Sequence, residues 1–565
     1  RAGSPVFSDG PVQVRDFRCL FDEIAAWIRP PGCWAGFPGA PGHPPADRIE
    51  WGFTARPPRA GQTRTMAATP YQQLEMEWQR LHAFSGALSL LRWDAAVMMP
   101  RGSADVRGEQ IAAIEIEQHA ILTTPKVSRL LERARAAEST LDAWQRANLR
   151  AMRRQRDRAI ATPVSLISRL ARATAMAEVR WAEAREKKDF TVFAPLLEEV
   201  VGLVRDKAAL LGQALNLSPY DALMDEYTPG LRTEVVDDLF RQFSNRLPGL
   251  IREAIELQAG MPVLPIRGRF TPARQRALIV EVMKAFGFPF ERGRLDESDH
   301  PFTEGVPGDI RVTTRIDPAD PFKGLLAAMH ETGHALYDLG VPREWQSQPV
   351  GKHRGMALEE SQSLFIEMIV CRSRPFLAWL RPLLEKHFGA SGPEWEPENL
   401  YRLLTRVKRG PIRVDADELT YPMHVLLRHQ LERELLDGRL AVRDLPEAWN
   451  RGMRDRLDVQ PADDAEGCLQ DVHWAHGAFG YFPSYAIGAV IAGQLIESLR
   501  IATPDLPAQV ERGEFAVVTG WLSEHVHRAG ARLSSTDLVE EITGRPLSAA
   551  PALRYLEGRY LEEAA

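Results

Sequence analysis

Residues 320–342 read DPFKGLLAAMHETGHALYDLGVP, and this stretch carries a fold signal and a chemical one together. Leu325, Leu326, Met329, Leu336 and Tyr337 recur at helical spacing, which predicts one amphipathic helix. Asp320 is the expected N-cap with Pro321 at the first helical position, and Gly340 with Pro342 marks the expected stop. Inside the helix lies His330-Glu331-Thr332-Gly333-His334. Histidines four apart share one helix face, roughly a turn from each other, so both imidazoles reach one zinc ion. Glu331 then stands beside the water such an ion activates, where a general base is needed. Were the two histidines ordinary core residues, the glutamate between them would be buried for no reason. Gly333 costs about 1 kcal/mol relative to alanine in a helix, and close approach by substrate or a neighbouring helix is its expected use.

A hydrolytic zinc site takes a third protein ligand and leaves its fourth position open. A metzincin would place glycine and histidine three and six residues after His334, but those positions hold Tyr337 and Gly340. The three-histidine class is excluded. A glutamate on a following helix remains, and Glu359, Glu360 and Glu367 are all candidates that spacing does not rank.

Outward from this helix, period 3.6 dominates the chain from Met66 onward. Tyr71, Leu74, Trp78, Leu81, Phe84, Leu88 and Leu91 form one stripe. Residues 127–137, 164–187, 193–214, 235–257, 272–286 and 426–436 read as further helices. The best strand pattern is 309–315, which places Asp309, Arg311 and Thr313 on one side. The expected fold is predominantly α-helical, a large single catalytic domain over residues 66–565 with a small β-sheet beside the active-site cleft. Residues 1–65 differ: 18 of the 65 are proline or glycine, the composition of a segment without a core. They are expected to be a disordered or non-native leader, with Met66 as the functional start.

The chain is 44% hydrophobic and 26% charged with a net charge of −6, which gives no argument for nucleic acid or a membrane as partner. Four cysteines, Cys19, Cys33, Cys371 and Cys468, show no paired spacing, as in a reducing, cytoplasmic setting. The most apolar stretch, 479–496, holds Pro483, Gly488, Gly493 and Gln494, and reads as a buried core helix rather than a membrane span.

Four more polar clusters flank the histidine motif: His300-Pro301-Phe302; Asp309-Ile310-Arg311-Val312-Thr313; Ile412-Arg413-Val414-Asp415-Ala416-Asp417 with Tyr421; and Gly467-Cys468-Leu469-Gln470-Asp471-Val472-His473-Trp474, followed by Phe479, Tyr481, Phe482 and Tyr485. Singly, Arg311 and Arg413 read as partners of nearby aspartates, and Asp471 and His473 as helix-end groups. Together they supply cations for a carboxylate and donors for an oxyanion.

In this order, these clusters resemble the carboxypeptidase Taq family of zinc metallocarboxypeptidases. Its signatures HPF, DxRxT, HExxH, HESQ, IRxxAD and GxxQDxHW are all complete here except HESQ, and the resemblance covers about Met66 to Ala565. The segment from Trp93-Asp94 to Met99-Pro100-Arg101-Gly102 resembles the family as well. The resemblance implies that Glu360, aligned with the glutamate of HESQ, is the third ligand of one zinc ion on His330 and His334, with cobalt as a substitute. Glu359 stands where the family has a histidine, a change expected to act on hydrogen bonding around the site, metal preference or pH profile. The implied activity is release of single C-terminal residues from peptides with a free C-terminus, with broad side-chain tolerance, by a homodimer with a long closed groove. Glu331 is then the general base, and His473 with Tyr481 or Tyr485 holds the oxyanion. Arg311 and Arg413 are the expected carboxylate clamp, in a substrate-binding set completed by His300, Asp309 and Gln470. Two rivals follow: a zinc endopeptidase, which would also cut a C-amidated peptide internally, and a catalytically silent zinc-binding helical protein, against which an intact Glu331 argues.

Overall fold

The computed structural model describes residues 68–562, so the expected leader and the start at Met66 lie outside the described residues. The chain enters through a helix at Pro70–Val97, closed by a capping box in which Thr69 Oγ1 accepts from Gln72 N and Gln72 Oε1 accepts from Thr69 N. Its apolar stripe faces inward at Tyr71, Leu74, Trp78, Leu81 and Leu88. The segments with helical periodicity are helices: Pro125–Ala136, Val164–Lys187, Ala194–Leu215, Thr233–Ala259, Pro272–Ala285 and Tyr421–Leu436.

The helix that carries both histidines spans Lys323–Gly340 and starts later than expected. Pro321 and Phe322 first make a turn, and Asp320 Oδ1 accepts from the N–H groups of Phe322 (2.9 Å) and Lys323 (3.2 Å). Asp320 thus satisfies exposed donors from two residues before the N-cap, Phe322. The stop is set by Pro342, which forces Val341 into extended backbone (φ −63°, ψ 154°), while Gly340 remains helical.

One three-stranded sheet lies against this helix. Strand β1 (Gly293–Glu297) pairs parallel with β3 (Asp309–Thr314), and β2 (Thr303–Val306) pairs antiparallel with β3, giving the order β1-β3-β2. Only β3 shows the alternation expected of a strand, with Ile310 and Val312 fully buried. Thr314 Oγ1 donates to Gly324 O at 2.7 Å and ties the end of β3 to the first turn of the helix.

The apolar stretch after residue 479 is the helix Pro483–Ala502, with Pro483 in its first turn. It alone among the described residues is long and apolar enough to cross a membrane. Its Ile487, Val490, Ile491, Leu495 and Leu499 are buried inside the protein, so it serves as the central core helix. Cys371 and Cys468 are buried free thiols.

Candidate metal centre and active site

Glu360 reaches the histidines because two glycines let three helices touch backbone to backbone. A Cβ on Gly333 would lie 2.6 Å from Gln362 O and from Ser363 Cα, in the helix Met356–Leu364. A Cβ on Gly488 of the core helix would lie 2.8 Å from Glu360 Cβ. Gly333 therefore serves approach by a neighbouring helix, and Glu360 is wedged between its two neighbours.

The wedge points both carboxylate oxygens at the imidazoles. Glu360 Oε1 is 3.9 Å from His330 Nε2, and Oε2 is 3.8 Å from His334 Nε2. These separations are too long for hydrogen bonds. Ligands on metal bonds of about 2.1 Å at tetrahedral angles sit about 3.4 Å apart, so a small contraction closes the set on one ion. His330, His334 and Glu360 are the one such donor group among the described residues. The charge balance fits a cation too. Burial opposes charge on His330, yet Glu367, Glu360 and Glu331 outweigh it and lift the imidazole to about 10. Burial pushes the carboxyls of Glu360 and Glu359 up to about 7. A cluster this rich in buried carboxylates lacks positive charge, which a divalent ion supplies.

Each imidazole turns its Nδ1 away from Glu360. Behind His330 stands Glu367 Oε2 at 3.0 Å, held in turn by Arg372 Nη2 at 2.5 Å from Oε1. Glu367, a candidate ligand by spacing, thus braces His330 instead. It sits on the widened π-helical turn Phe365–Val370. Behind His334 stands Glu359 Oε1 at 3.6 Å. Glu331 is buried beside the cluster, with Oε2 2.8 Å from Thr303 Oγ1 of β2, and burial raises its carboxyl above the usual range. A carboxylate so placed takes a proton readily.

The second half of the site joins two distant motifs. Arg413 does not pair with Asp415 or Asp417, as its neighbourhood in sequence suggested. Its Nε and Nη2 donate to Asp471 Oδ1 (2.9 and 2.8 Å), while Asp417 accepts from the N–H groups of Lys408, Leu419 and Thr420. Nor do Asp471 and His473 cap a helix. Asp471 also takes Arg428 Nε at 2.6 Å, and Arg428 is fully buried. Burial alone would raise the Asp471 carboxyl, but Arg413 and Arg428 hold it far below the usual range.

Gln470 is saturated by its surroundings: Oε1 accepts from Arg413 N and Arg428 Nη2, and Nε2 donates to Pro411 O and Glu466 O. It positions the two arginines rather than offering free donors. Arg413 Nη1 reaches Tyr421 Oη at 3.3 Å, and the guanidinium carbon lies 4.9 Å from the centre of the Tyr485 ring. Tyr485 Oη is 3.2 Å from His473 Nε2, and Tyr481 packs edge-on against Tyr485. Burial holds His473 neutral, down to about 3. The charge of Arg413 acts on Glu360 and on His300, whose imidazole is lowered first by burial and then by Arg413 and His330.

Arg311 and Asp309 stand apart from this cluster. Arg311 Nη2 and Nε grip both carboxylate oxygens of Asp309 at 3.0 and 3.1 Å, and its guanidinium lies 4.2 Å over the Trp93 ring, which Arg294 also covers. That contact docks the Pro70–Val97 helix on the sheet. Sequence reasoning missed Thr303, Arg372, His353, Arg428 and Glu432. Arg428 and Glu432 lie one turn apart, a pattern that reads as a solvated face, and nothing local marks them as buried.

The family model of carboxypeptidase Taq (M32) metallopeptidases matches residues 73–560. The chain belongs to the M32 carboxypeptidase family. It is 37% identical over 503 residues to thermostable carboxypeptidase 1 of Thermus thermophilus, covering 87% of this chain and 98% of that one. To thermostable carboxypeptidase 1 of Pyrococcus furiosus it is 33% identical over 494 residues, with the same coverage of each. The fold superimposes on metallocarboxypeptidase 1 of Trypanosoma cruzi with a TM-score of 0.85 at 37% identity, spanning 87% of this chain and 99% of that one. An M32 carboxypeptidase is a metal-dependent peptide hydrolase, and in this member the donors for an ion converge at His330, His334 and Glu360.

Proposed function

We propose that this M32 carboxypeptidase releases single residues from the C-termini of peptides, with broad side-chain tolerance, using zinc on His330, His334 and Glu360. The observation that carries the reading is a charge imbalance in the cleft. Arg413 and Arg428 share the single carboxylate of Asp471, so one of the two buried guanidinium charges has no carboxylate of its own in an ion pair. A substrate carboxylate is the anion that balances it, and a guanidinium fork matches its geometry. Arg311, neutralised by Asp309, leaves no such surplus. Arg413 is therefore the favoured anchor of the two expected arginines, with Tyr421 beside it.

When bound, the zinc ion supplies Lewis-acid polarisation of the scissile carbonyl and acidifies a water. The protein's own groups do the rest. Glu331, buried and raised in pKa, takes the proton of the attacking water and returns it to the leaving amine. Thr303 fixes the Glu331 carboxylate on the side facing β2. In this reading His473 donates to the developing oxyanion, supported by its burial-held neutrality, its contact with Tyr485 and the Tyr481 ring beside it. Cobalt as a substitute ion, a homodimeric assembly and a cytoplasmic location belong to the same proposal, supported by the family resemblance and by the free thiols of Cys371 and Cys468.

The test is mass spectrometry of products from one N-acetylated peptide, offered as free acid and as C-terminal amide, with zinc-reconstituted protein. A ladder of single C-terminal losses from the acid alone is expected. Internal cuts in both forms would contradict the carboxylate anchor and point to an endopeptidase.

A further inference from the structure

A metal-ligating imidazole binds through the lone pair of one nitrogen and carries its proton on the other, so that proton needs an acceptor. His330 has one in Glu367, locked by Arg372. For His334 the carboxylate facing Nδ1 is Glu359, the residue at which this sequence departs from the HESQ pattern. Glu359 Oε1 lies 3.6 Å from His334 Nδ1, and Oε2 lies 3.1 Å from His353 Nδ1. The His334 and Glu359 side chains are 11% and 14% exposed, and His353 closes the group from the more open side at 30%. His334 Nδ1, Glu359 Oε2 and His353 Nδ1 are each buried atoms that make no hydrogen bond. Adjacent residues on a helix diverge by about 100°, which lets Glu360 take the front of His334 while Glu359 takes its back.

We propose that Glu359, backed by His353, is the positioning residue of His334: it accepts the Nδ1 proton, fixes the tautomer and aims Nε2 at the ion. The arrangement gives this chain two matched braces, Arg372–Glu367–His330 and His353–Glu359–His334. The inference rests on the reading of His334 as a ligand. A carboxylate is a stronger acceptor than the histidine of the family pattern, so the brace raises the basicity of His334 as a ligand.

The experiment measures the zinc dissociation constant by competition with a chromogenic chelator, the visible spectrum of the cobalt-loaded protein, and the melting temperature with and without zinc. Wild type is expected to bind one equivalent. Glu359→Gln and Glu359→Ala are expected to bind it about 10- to 100-fold more weakly, with shifted cobalt bands and an unchanged metal-free melting temperature. His353→Gln, which touches no ligand, is expected to weaken binding in the same direction by less, and keeps the test readable should Glu359→Ala fail to fold. Wild-type zinc affinity and an unshifted cobalt spectrum in both Glu359 variants would overturn the proposal. If wild type bound no ion, as His334→Ala is expected to, the ligand reading itself would fall and the brace with it; that result differs from the first, in which wild type binds its equivalent.

Discussion

Replacing Gly333 by alanine adds one methyl group at the contact that sets the geometry of the metal centre. The new Cβ would lie 2.6 Å from Gln362 O and Ser363 Cα, both backbone atoms that no rotamer change can move. Restoring a 3.4 Å contact needs the Met356–Leu364 helix to recede by about 0.8 Å. Overpacking of this kind costs about 1–3 kcal/mol, and alanine returns about 1 kcal/mol in helix propensity. The net cost is small against a domain stability of about 5–15 kcal/mol, so the variant folds. The site fares worse. Glu360 rides on the receding helix, and its oxygens already stand 3.8 and 3.9 Å from the two Nε2 atoms. Two metal bonds of about 2.1 Å span at most about 4.2 Å, so the same recession takes Glu360 out of reach. Activity is expected to fall about 10²-fold, the usual effect of a displacement near 1 Å. The assay is kcat/KM at saturating zinc beside calorimetric melting: a modest drop in Tm with a large loss of turnover. Wild-type kcat/KM and metal content in Gly333→Ala would refute the reasoning.

Three further outcomes follow from the second half of the site. Arg413→Lys keeps the charge but loses the fork, and is expected to lower kcat/KM for free-acid peptides by about 10- to 150-fold, the ~1.5–3 kcal/mol of a charge-assisted hydrogen bond; unchanged kinetics would remove Arg413 as the anchor. Asp471, whose carboxyl is held below its unfolded value of 3.8, contributes stability that is full above about pH 5 and is lost as pH falls. Asp471→Asn is expected to melt lower at neutral pH but with a flatter decline between pH 5 and 3; an identical slope in wild type and variant would contradict the pairing. Glu432 accepts from Trp474 Nε1, Tyr220 Oη and Gly480 N, and so clamps the loop that carries His473. Glu432→Gln sets an amide N–H₂ against buried donors, at about 1–3 kcal/mol for each one left unsatisfied; calorimetry should show the loss, with lower kcat, and an unchanged melting point would argue against the clamp.

Periodicity made the helices legible, because a 3.6-residue stripe survives whatever the chain packs against. Strands β1 and β2 escaped notice since GRLDE and TEGV lack apolar alternation; both owe their pairing to β3. His330, Glu331 and His334 were readable because one helix face carries them all. The third ligand came only from the family resemblance, since spacing alone cannot say which of Glu359, Glu360 and Glu367 faces the histidines. Gly333 and Gly488 decide that, and they act across helices separated in sequence. The pairing of Arg413 with Asp471 was equally hidden, for its partners lie in different motifs and local aspartates offered a simpler match. Arg428 and Glu432 resemble an exposed charged face in sequence and prove to be the buried frame of the cleft.

The central claim is that Glu331 moves the proton while His330, His334 and Glu360 hold the metal. It is tested most directly by measuring zinc content and turnover on the same samples of wild type and Glu331→Gln. One equivalent of zinc in each, with kcat lower by about 10²- to 10⁴-fold in the variant, is the predicted result. Wild-type turnover in the zinc-loaded variant would contradict the claim.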